Sequence, residues 1–181
     1  MRKPSYKTLE KRVVFDNSKF GYVLRSDRVI RPSGDEGTFM VLDGPSHALV
    51  VAVTKELEVV LVEQYRYPIA QWSWEVVGET ADPGEDLLTT AKRGLLEEAN
   101  VTAKKWIETG SHQLALGVAD LPGKMYLALE ADVSKMRPED KKRVKLVSLE
   151  KAMEMVRTSE IVSPESKCAI LLAWEYLQIK R

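Results

Sequence analysis

Two apolar runs lying close together constrain this chain more than any other feature. Residues 47–54 and 57–65 carry Val50, Val51, Val53, Val59, Val60, Leu61 and Val62, with Lys55 and Glu56 between the runs. Near-continuous β-branched runs suit strands buried on both faces. A sheet of that kind needs helices above and below it. Residues 85–99 place Leu88, Ala91, Leu95 and Ala99 three and four apart, which is the spacing of one buried helix stripe. Residues 149–157 read as a short helix. Ser163-Pro164-Glu165 opens a last one, with a capping Ser, Pro at the first helical position and an acid in the first turn. Its apolar stripe runs through Ala169, Leu172, Ala173 and Tyr176, and Cys168 is expected to pack inside the same pattern. Further strands are expected at 71–77, 106–116, 124–132 and 143–147. Strands and helices alternating in this order predict an α/β domain over residues 44–181, a mixed sheet between helices.

Residues 1–43 read differently. A polar stretch at 1–12 precedes short β-type runs at 13–15, 20–24, 28–31 and 38–42, with turn signals at Asn17-Ser18 and Pro32-Ser33-Gly34-Asp35. This predicts a small antiparallel β subdomain. It is too small to bury both faces alone, so it should lean on the main domain or on a second subunit.

Composition narrows the function classes. Lys+Arg and Asp+Glu both number 27, so the net charge is zero, which argues against a nucleic-acid or anionic-membrane surface. A single cysteine rules out an intrachain disulfide and points to a reducing compartment. No apolar run reaches the roughly 18 residues of a membrane span, and no signal core follows the N-terminus. A cytoplasmic location is the expectation. His47 and His112 stand alone in the sequence and are expected to ligate nothing.

The chemistry concentrates on the helix at 85–99. Glu97 and Glu98 diverge by about 100° around its axis, yet both can reach a site beyond its flank. Adjacent carboxylates repel unless a cation or Arg lies between them. A hard cation takes carboxylate oxygens together with waters and substrate phosphates. Arg93 is placed to pair with Glu97 or Glu85. A solvated face made of Lys92, Arg93, Glu97 and Glu98 is the other reading of the helix alone.

The turn and helix together resemble the Nudix box, G-x5-E-x7-R-E-U-x-E-E-x-G-U, where U is a bulky aliphatic. With Arg93 on the Arg of the pattern, Glu85, Leu95, Glu97, Glu98 and Val101 fall in register. Leu61-Val62-Glu63-Gln64-Tyr65-Arg66-Tyr67-Pro68, Trp72-Ser73-Trp74-Glu75 and the ending from residue 147 are similar to the ADP-ribose and nucleoside-diphosphate-sugar branch of that family. The resemblance implies a Nudix α/β/α sandwich with a mixed sheet over 44–181, an N-terminal antiparallel β subdomain over 1–43 serving dimerisation, and a homodimer. It implies Mg²⁺, with Mn²⁺ as a substitute, held by Glu97, Glu98 and the carbonyl of Gly78. Glu85 and Arg93 complete the catalytic set, and Asp120 is the carboxylate nearest the role of loop base. Gln64, Arg66 and Trp72 would face the substrate, and one of Arg25, Arg28 and Arg31, with Arg28 chosen, would reach it from the partner subunit. The implied reaction is metal-dependent hydrolysis of the diphosphate in ADP-ribose or a related nucleoside-diphosphate sugar. The alternative is a weakened or inactive nucleotide-binding protein on the same fold.

The chain departs from the pattern at four places. Its first Gly falls on Glu79, with Gly78 one place earlier, and its last Gly falls on Asn100, a residue suited to a left-handed helix cap. Gly94 stands where the pattern has a Glu, and the resemblance implies a metal ligand there. Leu121 stands where relatives carry the loop Glu. If the missing ligand limits catalysis, Gly94→Glu is expected to raise activity.

Overall fold

The computed structural model describes residues 5–137 and 143–179. The chain divides into two compact units, Met1–Ser46 with Gln113–Pro122, and His47–His112 with Gly123–Arg181. The smaller unit therefore extends slightly past residue 43 and takes in a second segment from the middle of the chain.

In the larger unit, β4 (His47–Val53) and β5 (Glu58–Arg66) are the two apolar runs. They lie in a sheet with β8 (Thr102–Gln113), β10 (Pro122–Asp132) and β11 (Val144–Ser148), in the order β11-β5-β4-β10-β8. β6 (Gln71–Glu75) pairs with β5, and β7 (Val77–Thr80) with β4. β10 runs parallel to β4 with Tyr126 beside Val50, while β7, β6 and β11 are antiparallel to their partners, so the sheet is mixed.

The period of two along the strands sorts their side chains between two cores. Leu49, Val51, Val53, Val59 and Leu61 pack with residues of α2 (Leu149–Arg157) and α3 (Pro164–Ile179). Ala48, Val50, Ala52, Val60 and Val62 pack with Ala91, Leu95 and Ala99 of α1 (Leu87–Ala99). The sheet thus lies between α1 on one face and α2 with α3 on the other. Leu95 is fully buried. Leu95→Ala should cost about 2–5 kcal/mol, readable as a lower midpoint in urea with an unchanged slope.

Several boundaries move, each for a visible reason. The strand expected over 71–77 breaks at Val76, whose N–H donates to the buried Ser166 hydroxyl of α3 at 3.3 Å. The helix expected from residue 85 begins at Leu87, because the Asp86 carboxylate accepts from the N–H groups of Leu88 and Thr89 and caps it. Cys168 is exposed, which corrects the packing role expected for it. The buried stripe of α3 is Ser166, Ala169, Ile170 and Ala173, and Cys168 falls outside that face.

The smaller unit is a four-stranded sheet in the order β1-β2-β3-β9, built from β1 (Lys7–Asn17), β2 (Tyr22–Ile30), β3 (Glu36–Asp43) and β9 (Ala119–Asp120). β1, β2 and β3 are antiparallel in sequence, whereas β9 adds parallel to β3. The runs expected at 20–24 and 28–31 form one strand. The polar residues between them stay in the ladder because Arg25 pairs with both Asp27 and Asp43. Among the described residues, no helix is long and apolar enough to cross a membrane.

Candidate active site

The site begins where β7 turns into α1. Glu85 lies just ahead of the helix cap, and its carboxylate accepts from the Asp82 N–H at 3.1 Å and the Thr90 hydroxyl at 2.9 Å. Arg93, two turns along α1, reaches back to it. Its Nε donates to Glu85 Oε1 at 3.1 Å, and its Nη2 donates to Glu85 Oε2 and to the Thr80 carbonyl, both at 2.8 Å. The Arg93 hydrogen bonds, ahead of those from Asp82 and Thr90, hold the Glu85 carboxyl down at about 2. The remaining Nη1 of Arg93 stands 3.5 Å from both Glu79 and Glu97. Arg93 thus ties β7, the turn and the helix into one charged cluster.

Glu98 points elsewhere. It is half-buried and accepts from Gln64 Nε2 of β5 at 2.9 Å. Burial, and then the charge of Glu79, push its carboxyl up to about 7, against the Gln64 hydrogen bond. Glu97 is exposed and faces Arg93. Gly78 sits on β7 opposite Leu49, one residue before Glu79.

The strands beside Glu98 shape a cleft of about 500 Å³, lined in part by Gln64, Tyr65, Trp72, Glu98 and Arg143. That volume suits a small-molecule ligand. β6 presents an unusual alternation: Ser73 and Glu75 are buried, while Trp72 is exposed. The buried Glu75 carboxylate is met by Arg66, which forks onto both of its oxygens. Trp72 meets Tyr65 edge to face at 5.5 Å between ring centres. Trp74 packs against the core under Lys145, 4.5 Å above its ring.

Gly94 is buried, and a Cβ there would stand 2.4 Å from the Cβ of Glu79 and 3.0 Å from its Cγ. The space beside position 94 is therefore filled by another glutamate. Asn100 adopts the left-handed conformation at φ 54°, and its N–H closes the helix.

The NUDIX domain family profile matches residues 45–164. The chain belongs to the NUDIX domain family. It is a Nudix hydrolase similar to ADP-ribose pyrophosphatases. An ADP-ribose pyrophosphatase of Bacillus subtilis (strain 168) is 29% identical, with 99% of this chain and 96% of that protein aligned. A CMP-5'-(N-acetyl-N-hydroxy-3-aminopropyl)phosphonate hydrolase of Streptomyces rubellomurinus (strain ATCC 31215) is 26% identical over 88% of this chain and 78% of its own length. A crystal structure of an ADP compounds hydrolase superposes with a TM-score of 0.82 at 14% identity, covering 99% of this chain and 98% of that one, so the two share the fold.

Within this Nudix fold, Glu85 and Glu97 meet on Arg93, while Gln64 of β5 meets Glu98. Arg66 and Trp72 stand on neighbouring strands, Arg66 committed to Glu75. Asp120 and Arg28 belong to the smaller unit. There Asp120 accepts from Gln113 at 3.3 Å, and Arg28 faces Glu10 and Glu36. Among the described residues, no group of three or more His, Cys, Asp or Glu is placed to hold a metal. Two carboxylates are enough for a Mg²⁺ that keeps its waters and takes substrate phosphate. Glu98, half-buried at the cleft, fits such an ion chemically. Glu79 joins the Arg93 cluster from β7, with its carboxylate 3.5 Å from Arg93 Nη1. Its signal was present as a Glu where the box has Gly, paired with a Gly where the box has Glu.

The two histidines are not isolated. His47 and His112 bring their Nε2 atoms to 2.6 Å, with rings edge to face at 4.6 Å. Gly123 makes this approach feasible, since a Cβ there would lie 2.5 Å from the His112 ring. Burial lowers the His112 pKa below 6.5, only partly opposed by Glu165. The unfolded chain then binds the proton more readily than the folded one, so this group destabilises the fold as pH falls through 6.5. The wild type should lose more of its melting temperature than His112→Gln between pH 7.5 and pH 5.5, as calorimetry would record.

Proposed function

We propose that the protein hydrolyses the diphosphate of ADP-ribose or a related nucleoside-diphosphate sugar, with Mg²⁺ bound. The observation that carries this reading is the Glu85–Arg93–Glu97 cluster built beside a half-buried Glu98 that opens onto the cleft. Glu98, Glu97 and the Gly78 carbonyl are the groups proposed to hold the ion. Bound Mg²⁺ supplies charge neutralisation at the diphosphate and lowers the pKa of a coordinated water.

The chain's own residues do the rest. Gln64 fixes the rotamer of Glu98 through its 2.9 Å hydrogen bond. Arg66, pre-oriented by Glu75, offers its remaining donor to a diphosphate oxygen. The exposed Trp72, braced by Tyr65, offers a face for a base or sugar. Arg93 holds Glu97 and Glu85 in place. Arg28 is proposed to act on a second copy of the chain. The homodimer rests on the exposed apolar side chains of the smaller unit, with Val13, Phe15 and Phe20 at 57%, 62% and 63% exposure.

Two relatives named for ADP-ribose and for a CMP-linked phosphonate share a nucleoside joined through phosphorus to a variable group. That shared half is the substrate class proposed here. The test incubates the protein with Mg²⁺ or Mn²⁺ and a panel of nucleoside-diphosphate sugars. Release of nucleoside monophosphate with a sugar phosphate is the expected result. Ligand binding by calorimetry with no turnover from folded, metal-loaded protein would replace the hydrolase by a binding protein.

A further inference from the structure

We propose that Glu79 is the metal ligand that stands in for the one absent at Gly94, the two positions having exchanged residues. The assignment rests on the hydrolase reading of the same site and names a ligand that reading does not contain.

The geometry is reciprocal. A side chain at 94 would start 2.4 Å from the Cβ of Glu79, far inside van der Waals contact. Two glutamates cannot occupy that space together, so one of the two positions must be glycine. The family pattern has Gly at 79 and Glu at 94, and this chain has the reverse. The Glu79 side chain runs across Gly94, with its Oε2 3.5 Å from the point where a Cβ of residue 94 would sit. A carboxylate is thereby delivered over the same turn of α1, from the strand rather than from the helix.

The surroundings suit a ligand more than a surface glutamate. Glu79 is only 20% exposed. Its Oε1 accepts from the Thr80 N–H at 2.8 Å and faces Arg93 Nη1 at 3.5 Å, which orients the carboxylate from one side. A carboxylate fixed through one oxygen can give the other to a hard cation. The Gly78 carbonyl comes from the same strand one residue earlier, so strand and helix each contribute to the donor set. Gly94→Glu by itself would set its Cβ 2.4 Å from that of Glu79, so it adds a clash along with the carboxylate.

The experiment is a substitution cycle on the full chain, read by Mn²⁺ titration with electron paramagnetic resonance in the absence of substrate, and by melting temperature. Glu79→Gln keeps the packing and removes the charge, and should weaken Mn²⁺ binding about 10–100-fold. Glu79→Gly should do the same. Gly94→Glu alone should lower the melting temperature through the clash. The double variant Glu79→Gly/Gly94→Glu should bind Mn²⁺ within about threefold of wild type and melt above Gly94→Glu, a strong non-additivity. Wild-type affinity in both Glu79 variants, or a double variant no tighter than Glu79→Gly, overturns the assignment. If the double variant does not fold, the Glu79→Gln titration decides. Wild-type protein that binds Mn²⁺ through Glu79 but releases no nucleoside monophosphate would remove the hydrolase reading and leave this ligand assigned. Turnover with Mn²⁺ affinity indifferent to Glu79 would do the opposite.

Discussion

Glu98→Gln is expected to abolish turnover, by about a thousandfold or more, while making the metal-free protein more stable above pH 7. The two effects share one cause. Glu98 is half-buried beside the charge of Glu79, and its carboxyl is moved from 4.5 up to about 7. The sign follows from linkage. A carboxyl whose folded pKa is raised stabilises the fold fully below the unfolded value, and that contribution is lost as pH rises from 4.5 through about 7. At pH 8 the folded protein therefore carries a charge it would hold more comfortably in water. Gln keeps an acceptor for Gln64 and carries no charge, so it should gain on the order of 1–3 kcal/mol there. Saturating Mg²⁺ should reverse the order, because the ion binds the folded wild type and adds its own linkage term. Melting curves at pH 8 with and without Mg²⁺ check this. A wild type more stable than Glu98→Gln without metal would refute the account of a strained carboxylate.

Arg93→Ala should cost about 100-fold or more in kcat and lower the melting temperature by several degrees, with the damage in placement rather than in direct chemistry. Arg93 joins Glu85, Thr80, Glu79 and Glu97 through one guanidinium. Without it, the acids of β7, the turn and α1 face each other with no cation between them. Arg93→Lys should rescue little, since an ammonium cannot fork onto Glu85 while reaching the Thr80 carbonyl. The stability difference should shrink in acid. Glu85 is held at about 2, so the pair's contribution is present above 4.5 and lost as pH falls through about 2. Full kcat in Arg93→Ala would show that the cluster is only a surface ion pair.

Much of this architecture was legible because it is local. The near-continuous apolar runs of β4 and β5 stated that both faces would be covered, and the structure covers one with α1 and the other with α2 and α3. The box spacing placed Arg93 to pair with Glu97, four residues on along α1, or with Glu85, and the structure has both pairs. Asn100 as a left-handed cap and Ser163 as the start of α3 were legible for the same reason.

Other features needed one element laid against another. The outward side of Cys168 depends on how α3 is rotated on the sheet, and its apolar neighbours in sequence do not report that rotation. His47 and His112 meet across 65 residues because β4, β10 and β8 are neighbours and Gly123 leaves room between them. Ser73 and Glu75 are buried polar residues, and Arg66 supplies the fork for Glu75.

Pattern and spacing along the chain were enough for the layered fold, the family register and the absence of a glutamate at position 94. Only the tertiary structure showed that Glu79 fills the space beside it. Spacing along one helix encodes which residues share its face, whereas the distance from a strand side chain to a helix backbone is set by packing between elements.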